Sequence, residues 1–274
     1  MSASPLSVDA ALANLLAAAR PVADLEIIAA DAALGRVLAA PLTSAVTVPP
    51  LDNAAMDGYA LRLADWDTDG GLPISQRIPA GSLGMELAPG TVARIFTGAP
   101  VPAGADCVVM QEDCEVVDGK VRLANAPKMG SHIRRAGEDI HAGQVVLEAG
   151  ARLGPAQLGV AAATGATQLE VARRLKVAVF FTGDEIVMPG QPLTPGRIYN
   201  SNRATLIALL GQLGVEIVDL GQVPDRLDAT VAVLERASEV ADVVITSGGV
   251  SVGEEEHIKA AVEKLVRIEM WKVA

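Results

Sequence analysis

The chain has 274 residues, half of them hydrophobic but only 3% aromatic, and a net charge of −11. That length predicts two or more domains, with cores filled by aliphatic side chains rather than by rings. The acidic balance excludes a general basic field for nucleic acid, the composition excludes disorder, and no stretch approaches the roughly 20 apolar residues of a membrane span.

The chain opens with a polar start and then a helix. Leu12, Leu15 and Leu16 repeat with helical spacing between Val8 and Arg20, Ser7 is placed to cap, and Pro21 follows the end. No basic segment precedes an apolar run there, so the cytosol is the expected compartment. Leu25 to Leu38, around EIIAADAALGRVL, reads as a second, shorter helical stretch. From Thr43 to about Gln144 the character changes to short β-like runs between Gly and Pro: Ile95 to Thr97, Cys107 to Met110, Glu115 to Val117 and Lys120 to Leu123. Asp118-Gly119 between the last two predicts a hairpin turn. The two cysteines, Cys107 and Cys114, are too few for a disulfide scaffold and read as reduced thiols.

A helix over Pro155 to Thr164 is started by its proline and stopped by Gly165. From Lys176 onward strands alternate with helices. The apolar runs are Val177 to Phe181, Val215 to Leu220, Val243 to Ile245 and Ile268 to Val273. The helical patterns are Arg203 to Leu213, Asp228 to Val240, with Asp228 as a candidate cap, and Glu255 to Leu265. This alternation predicts right-handed parallel βαβ units in a sheet covered on both faces. The last run ends the chain at WKVA without a covering helix, so a fragment of a longer protein is expected.

Ligands of open α/β sheets bind at the carboxyl ends of the strands. After the first run stand Asp184 and Glu185, adjacent carboxylates suited to a cation or a general base, or simply an acidic turn. After the second comes Asp225, within Gly221-Gln222-Val223-Pro224-Asp225. After the third comes Thr246-Ser247-Gly248-Gly249-Val250-Ser251-Val252-Gly253. Its glycines let backbone approach a ligand, and N–H groups at a helix start hold anions. It is neither a Walker A loop nor GxGxxG. Glu254 to Glu256 follow; the helix dipole alone favours them, or one of them holds Mg²⁺. In the β-rich segment, three compact polar blocks stand out: Asp52 to Ala60, Arg94 to Pro102 and Ser131 to Ile140.

Taken in order, LDNAAMDGYAL, RIFTGAPVPAGADCVVMQED, HIRRAGEDI, FTGDEIV, GRIYNSN and ITSGGVSVGEEEHIK resemble the molybdopterin molybdenumtransferases, which include the bacterial MoeA enzymes and the E domain of gephyrin. The resemblance runs from about Leu25 to the end. It implies a multidomain α/β plus β-rich fold. Residues 24–43 and 143–174 would form a linking α/β domain and 44–142 an elongated β-rich domain. Residues 1–23 and 175–274 would form a three-layer α/β molybdopterin-binding domain, incomplete at its C-terminus.

The resemblance further implies insertion of molybdate into adenylylated molybdopterin with release of AMP, assisted by Mg²⁺, in a cytoplasmic homodimer without nucleic-acid or membrane partners. Asp57, Thr97, Asp139 and Glu185 match the family's catalytic positions. Asp225 matches a further functional position, expected to bind substrate and, with Glu256, the metal; Ser247, Gly248, Gly249, Ser251 and Gly253 are expected to bind substrate through the hydroxyls and backbone N–H groups of their loop. Glu256 stands where the family usually has Asp, one methylene longer. The family's lysine-containing loop lies beyond WKVA, so the alternative is a ligand-binding or scaffold chain without turnover. A molybdopterin-binding-like domain acting on another nucleotide is a third reading, disfavoured by the DNAAMDGYA and TGAPVP blocks.

Overall fold

The structure, a computed structural model, describes residues 6–66, 70–248 and 257–268. Ser7 caps helix α1 (Val8–Ala18), its hydroxyl accepting from the Ala10 N–H at 3.2 Å. Only Ala11 of this helix is buried, and the leucines at helical spacing face outward. The helix expected over Leu25 to Leu38 is instead strand β1 (Leu25–Ala29) followed by a 3-10 turn, Ala30–Ala32. The local pattern suited a helix, but β1 pairs with a strand far along the chain, and that tertiary ladder decides the conformation.

The β-rich stretch supplies β2 (Leu42–Thr43), β3 (Asn53–Ala54), β4 (Gly58–Leu61), β5 (Leu72–Ile78), β6 (Val92–Ile95), β7 (Cys107–Met110), β8 (Cys114–Val117), β9 (Lys120–Leu123), β10 (Ile133–Arg134) and β11 (Val145–Leu147). Six of these form a curled sheet in the order β7-β4-β6-β5-β9-β8. Its neighbours are antiparallel except β5 and β6, which run parallel. The β8–β9 hairpin turns through Asp118 and Gly119, both at positive φ, as the Asp-Gly pair requires. Strand β4 alternates cleanly. Ala60 joins Ala54, Ile78, Leu87, Ala93, Ile95, Ala99 and Val108 on one face, and Tyr59 and Leu61 join Val92, Cys107, Val109 and Val121 on the other. The first of these layers is rich in alanine, which lets segments approach closely. An added Cβ on Gly58 would sit 1.9 Å from the Val109 carbonyl oxygen.

Helix α2 (Pro155–Ala163) begins with its proline, and β12 (Gln168–Ala172) then returns to pair with β1. The remaining elements are β13 (Lys176–Thr182), β14 (Ile186–Val187), β15 (Ile198–Tyr199), α3 (Ser201–Leu213), β16 (Glu216–Val223), α4 (Leu227–Val240), β17 (Val243–Ser247) and α5 (Ile258–Leu265). Asp228 does not cap α4: Arg226 occupies that position, and Asp228 sits in the first turn. The fourth apolar run, from Ile268, lies almost wholly outside the described residues.

Strand β13 lies at the centre of a parallel sheet ordered β16-β13-β17. Its odd residues Val177, Val179 and Phe181 pack on Leu206, Ile207 and Leu210 of α3. Phe180, on the opposite face, packs with Val233 and Leu234 of α4 and Ile258 and Val262 of α5. This is the helix–sheet–helix layering predicted for an α/β domain. The chain divides into two units. One comprises residues 1–27, 35–37 and 170–274, and the other residues 28–34 and 38–169.

Candidate functional site

In the β-rich unit, hydrogen bonds draw the three polar blocks together. Strand β10 pairs with β3, setting Ile133 opposite Ala54 and Arg134 opposite Asn53. The Ala54 carbonyl accepts from Gly98 at 2.9 Å, and the Asp52 carbonyl accepts from Val101 at 2.8 Å. The Asp52 carboxylate accepts from the Ala136 N–H at 2.8 Å and from Arg135 at 2.6 Å, contacts that lower its pKa. Blocks that looked like separate surface turns are therefore one assembly.

Two of the expected catalytic residues touch within it. Asp57 Oδ1 accepts from the Thr97 N–H at 2.8 Å and from the Thr97 hydroxyl at 2.7 Å. These two bonds, with Arg94 nearby, hold the Asp57 carboxyl below its ordinary pKa, so it is an anion at neutral pH. Asp139 is about half exposed, and Arg134 Nη2 donates to both its carboxylate oxygens, at 2.7 and 2.6 Å. Sequence reading missed Arg94 as a brace: it donates to the Gly58 carbonyl at 2.9 Å and to Gln111 at 2.5 Å. Its place two residues ahead of Phe96, in a strand beside Gly58, was the available signal.

In the α/β unit the remaining described candidates gather at the carboxyl ends of the parallel strands. Asp184 and Glu185 follow β13, Asp225 follows β16, and Ser247 closes β17 just before Gly248. The Asp225 N–H points at Asp184 Oδ1 across 3.5 Å. Gln222, which sequence reading passed over, donates to the carbonyls of Gly183 at 3.0 Å and Ile186 at 2.8 Å, pinning the Asp184–Glu185 turn to β16. Asn202 on α3 donates to the Ser247 hydroxyl at 2.8 Å. A cleft of about 400 Å³ opens here, lined by Asn202, Thr205, Leu206, Ile245, Thr246, Ser247 and Gly248.

The Thr182 and Thr246 hydroxyls and the Asn200 amide nitrogen at this edge are buried without a partner among the described residues. Gly248 has φ +111, and an added Cβ would lie 2.4 Å from the Thr182 carbonyl oxygen. Gly249, Ser251, Gly253 and Glu256 lie outside the described residues. Among the described residues no three acidic, histidine or cysteine side chains cluster as a metal site. Asp184 and Asp225 are the carboxylates that follow β13 and β16 here, oxygen donors of the kind Mg²⁺ takes along with water and substrate oxygens.

Residues 6–165 match the family described as "MoeA N-terminal region (domain I and II)", and residues 178–274 match "Probable molybdopterin binding domain". A molybdopterin molybdenumtransferase of Haemophilus influenzae is 41% identical over 271 residues, 98% of this chain and 67% of that protein. Its counterpart from a Nostoc species is 42% identical, covering 86% of this chain and 55% of that protein. This chain thus spans between 55% and 67% of the length of these relatives. Among solved structures, the molybdopterin biosynthesis moeA protein from Pyrococcus horikoshii superposes with TM-score 0.81 at 30% identity, over 89% of this chain and 67% of that one. Both units carry the family's sequence and its fold, and the chain belongs to the molybdopterin molybdenumtransferase family.

Proposed function

We propose that this chain serves molybdenum cofactor biosynthesis, inserting molybdate into adenylylated molybdopterin with release of AMP. The observation that carries the reading is the cleft at Asn202, Thr246, Ser247 and Gly248, at the carboxyl edge of a parallel sheet within the stretch that resembles a molybdopterin-binding domain. In this reading the cleft, with Gly249, Ser251 and Gly253, holds the pterin ligand. Asp225 and Glu256 hold Mg²⁺, with Asp184 adjacent to Asp225. When bound, that ion neutralises phosphate charge.

Glu185 orients the attacking oxygen. In the β-rich unit, Asp57, ionised and fixed by Thr97, accepts a proton or a hydrogen bond, and Arg134 holds Asp139 as a further catalytic carboxylate. The functional parts are the linking α/β domain (24–43, 143–174), the β-rich domain (44–142) and the molybdopterin-binding domain (1–23, 175–274). The working form is a cytoplasmic homodimer.

Calorimetric titration with adenylylated molybdopterin and Mg²⁺, then molybdate, tests the proposal. Binding followed by AMP release supports the transferase. Binding without AMP release supports a ligand-binding chain instead, and no binding overturns both.

A further inference from the structure

The chain has only three phenylalanines, and two of them, Phe180 and Phe181, fill the α/β core. The third, Phe96, lies half-buried at the end of β6 with two guanidinium groups against its ring. The Arg77 carbon is 4.4 Å from the ring centroid and the Arg94 carbon 4.6 Å. Arg94 also stacks on Tyr59 at 5.1 Å. The register explains the row: Arg94 on β6 stands opposite Tyr59 on β4 and opposite Arg77 on β5.

Two like charges in register on neighbouring strands repel each other, and several other arginines of this acidic chain are neutralised by carboxylates. Arg36 meets Glu26, Arg134 meets Asp139, Arg135 meets Asp52, Arg173 meets Asp242 and Arg203 meets Asp219. Among the described residues no carboxylate pairs with either guanidinium of the row. Arg94 spends its hydrogen bonds on neutral acceptors, the Gly58 carbonyl and Gln111. Arg77 is exposed, and among the described residues its guanidinium makes no hydrogen bond or ion pair. Stacking fixes the plane of a guanidinium and leaves its N–H edge open. That edge is a fork that matches the oxygens of a phosphate-like anion, which a lysine ammonium at the same place would not do.

We propose that Arg77 and Arg94, held by Phe96, form a binding site for a tetrahedral oxyanion, either a phosphate group or molybdate. The site adjoins Thr97, which follows Phe96 directly and donates to Asp57. The inference does not depend on the cleft of the α/β unit, because inorganic ions test it without turnover.

The experiment titrates the whole chain with inorganic phosphate and, separately, with molybdate, by calorimetry. It compares the parent with Arg77→Met, Arg77→Lys and, as a control at an exposed arginine of the other unit, Arg236→Met. Arg77→Met keeps an apolar stem on the ring and removes the charge. The expected result is saturable binding of at least one ion, weakened about tenfold or more by Arg77→Met, less by Arg77→Lys, and not by Arg236→Met. A preference for phosphate names a phosphate ester as the ligand, and a preference for molybdate names the metal oxyanion. Failure of both ions to bind, or binding indifferent to Arg77→Met, overturns the site. Loss of AMP release with oxyanion binding intact overturns the transferase reading and leaves this one standing.

Discussion

One oxygen of Asp57 accepts both the backbone N–H and the hydroxyl of Thr97, at 2.8 and 2.7 Å, across forty residues of chain. Both donors stabilise the anion, so Asp57 serves as an acceptor and not as an acid at neutral pH. Thr97→Val removes one donor and keeps the other. The Asp57 carboxyl should then titrate at higher pH, which carboxyl NMR measures directly. AMP release should fall about tenfold, and Asp57→Asn should cost about a hundredfold with ligand binding retained. Unchanged turnover in Asp57→Asn would remove this residue from the mechanism.

Gly248→Ala tests the cleft. The new methyl would meet the Thr182 carbonyl at 2.4 Å in a backbone conformation, φ +111, that a side chain resists. Both conflicts fall at the carboxyl ends of β13 and β17, so affinity for adenylylated molybdopterin should drop at least tenfold while AMP release weakens with it. Full affinity in a folded variant would place the pterin elsewhere. Gly58→Ala poses the same conflict in the other unit, 1.9 Å from a backbone oxygen, and should destabilise the β4–β7 pairing by several kcal/mol, about the upper range for single substitutions.

Below β13, at the end opposite the cleft, Arg173 forks onto Asp242 at 2.7 and 2.6 Å and also reaches Asp24, while Asp242 accepts from the Lys176 N–H. Arg173 foremost, then that N–H, hold the Asp242 carboxyl far below its ordinary value. A depressed folded pKa stabilises above the unfolded value and is lost as pH falls through the folded one. The loss therefore begins below the ordinary aspartate range near 3.8. Asp242→Asn should cost about 1 kcal/mol near neutral pH, a modest figure because the pair is partly exposed. Urea midpoints from about pH 5 down to about pH 2 should fall less steeply in the variant than in the parent.

The cysteines offer a control on burial. Burial first, then the Asp106 charge, pushes the Cys107 thiol up to about 12, and burial with Asp113 brings Cys114 to about 11. At about pH 8 neither forms a thiolate in appreciable amount. Ellman's reagent should label the folded chain slowly and the urea-unfolded chain at once. A fast stoichiometric phase in the folded chain would contradict the packing around β7.

What the sequence made legible was local or periodic. Ser7 before α1, Asp118-Gly119 between β8 and β9, Pro155 and Gly165 around α2, and the alternation of β13, α3, β16, α4 and β17 could each be read from a handful of neighbours. The motifs located Asp57 and Thr97 but did not reveal their contact, because pairing across forty residues depends on β4 and β6 lying side by side. Strand β1 was misread for the same reason: its partner β12 is more than a hundred residues away, and Ile27 and Ile28 fit either conformation in isolation. Gln222 and Arg94 act by gripping carbonyls, and side-chain-to-backbone bonds leave no pattern in composition.

The discontinuous α/β unit also bears on how the molecule is made. Its central strand and both flanking strands lie after residue 170, whereas the whole curled β sheet is encoded before it. A ribosome releases the β-rich unit on the order of 10 s before β17 emerges. During that interval α1 and its flanking segment wait without the later part of their unit, attached to an already folded insert. Slowing translation after residue 170 should therefore lengthen the exposure of that leading segment to chaperones and proteases, and leave the insert untouched.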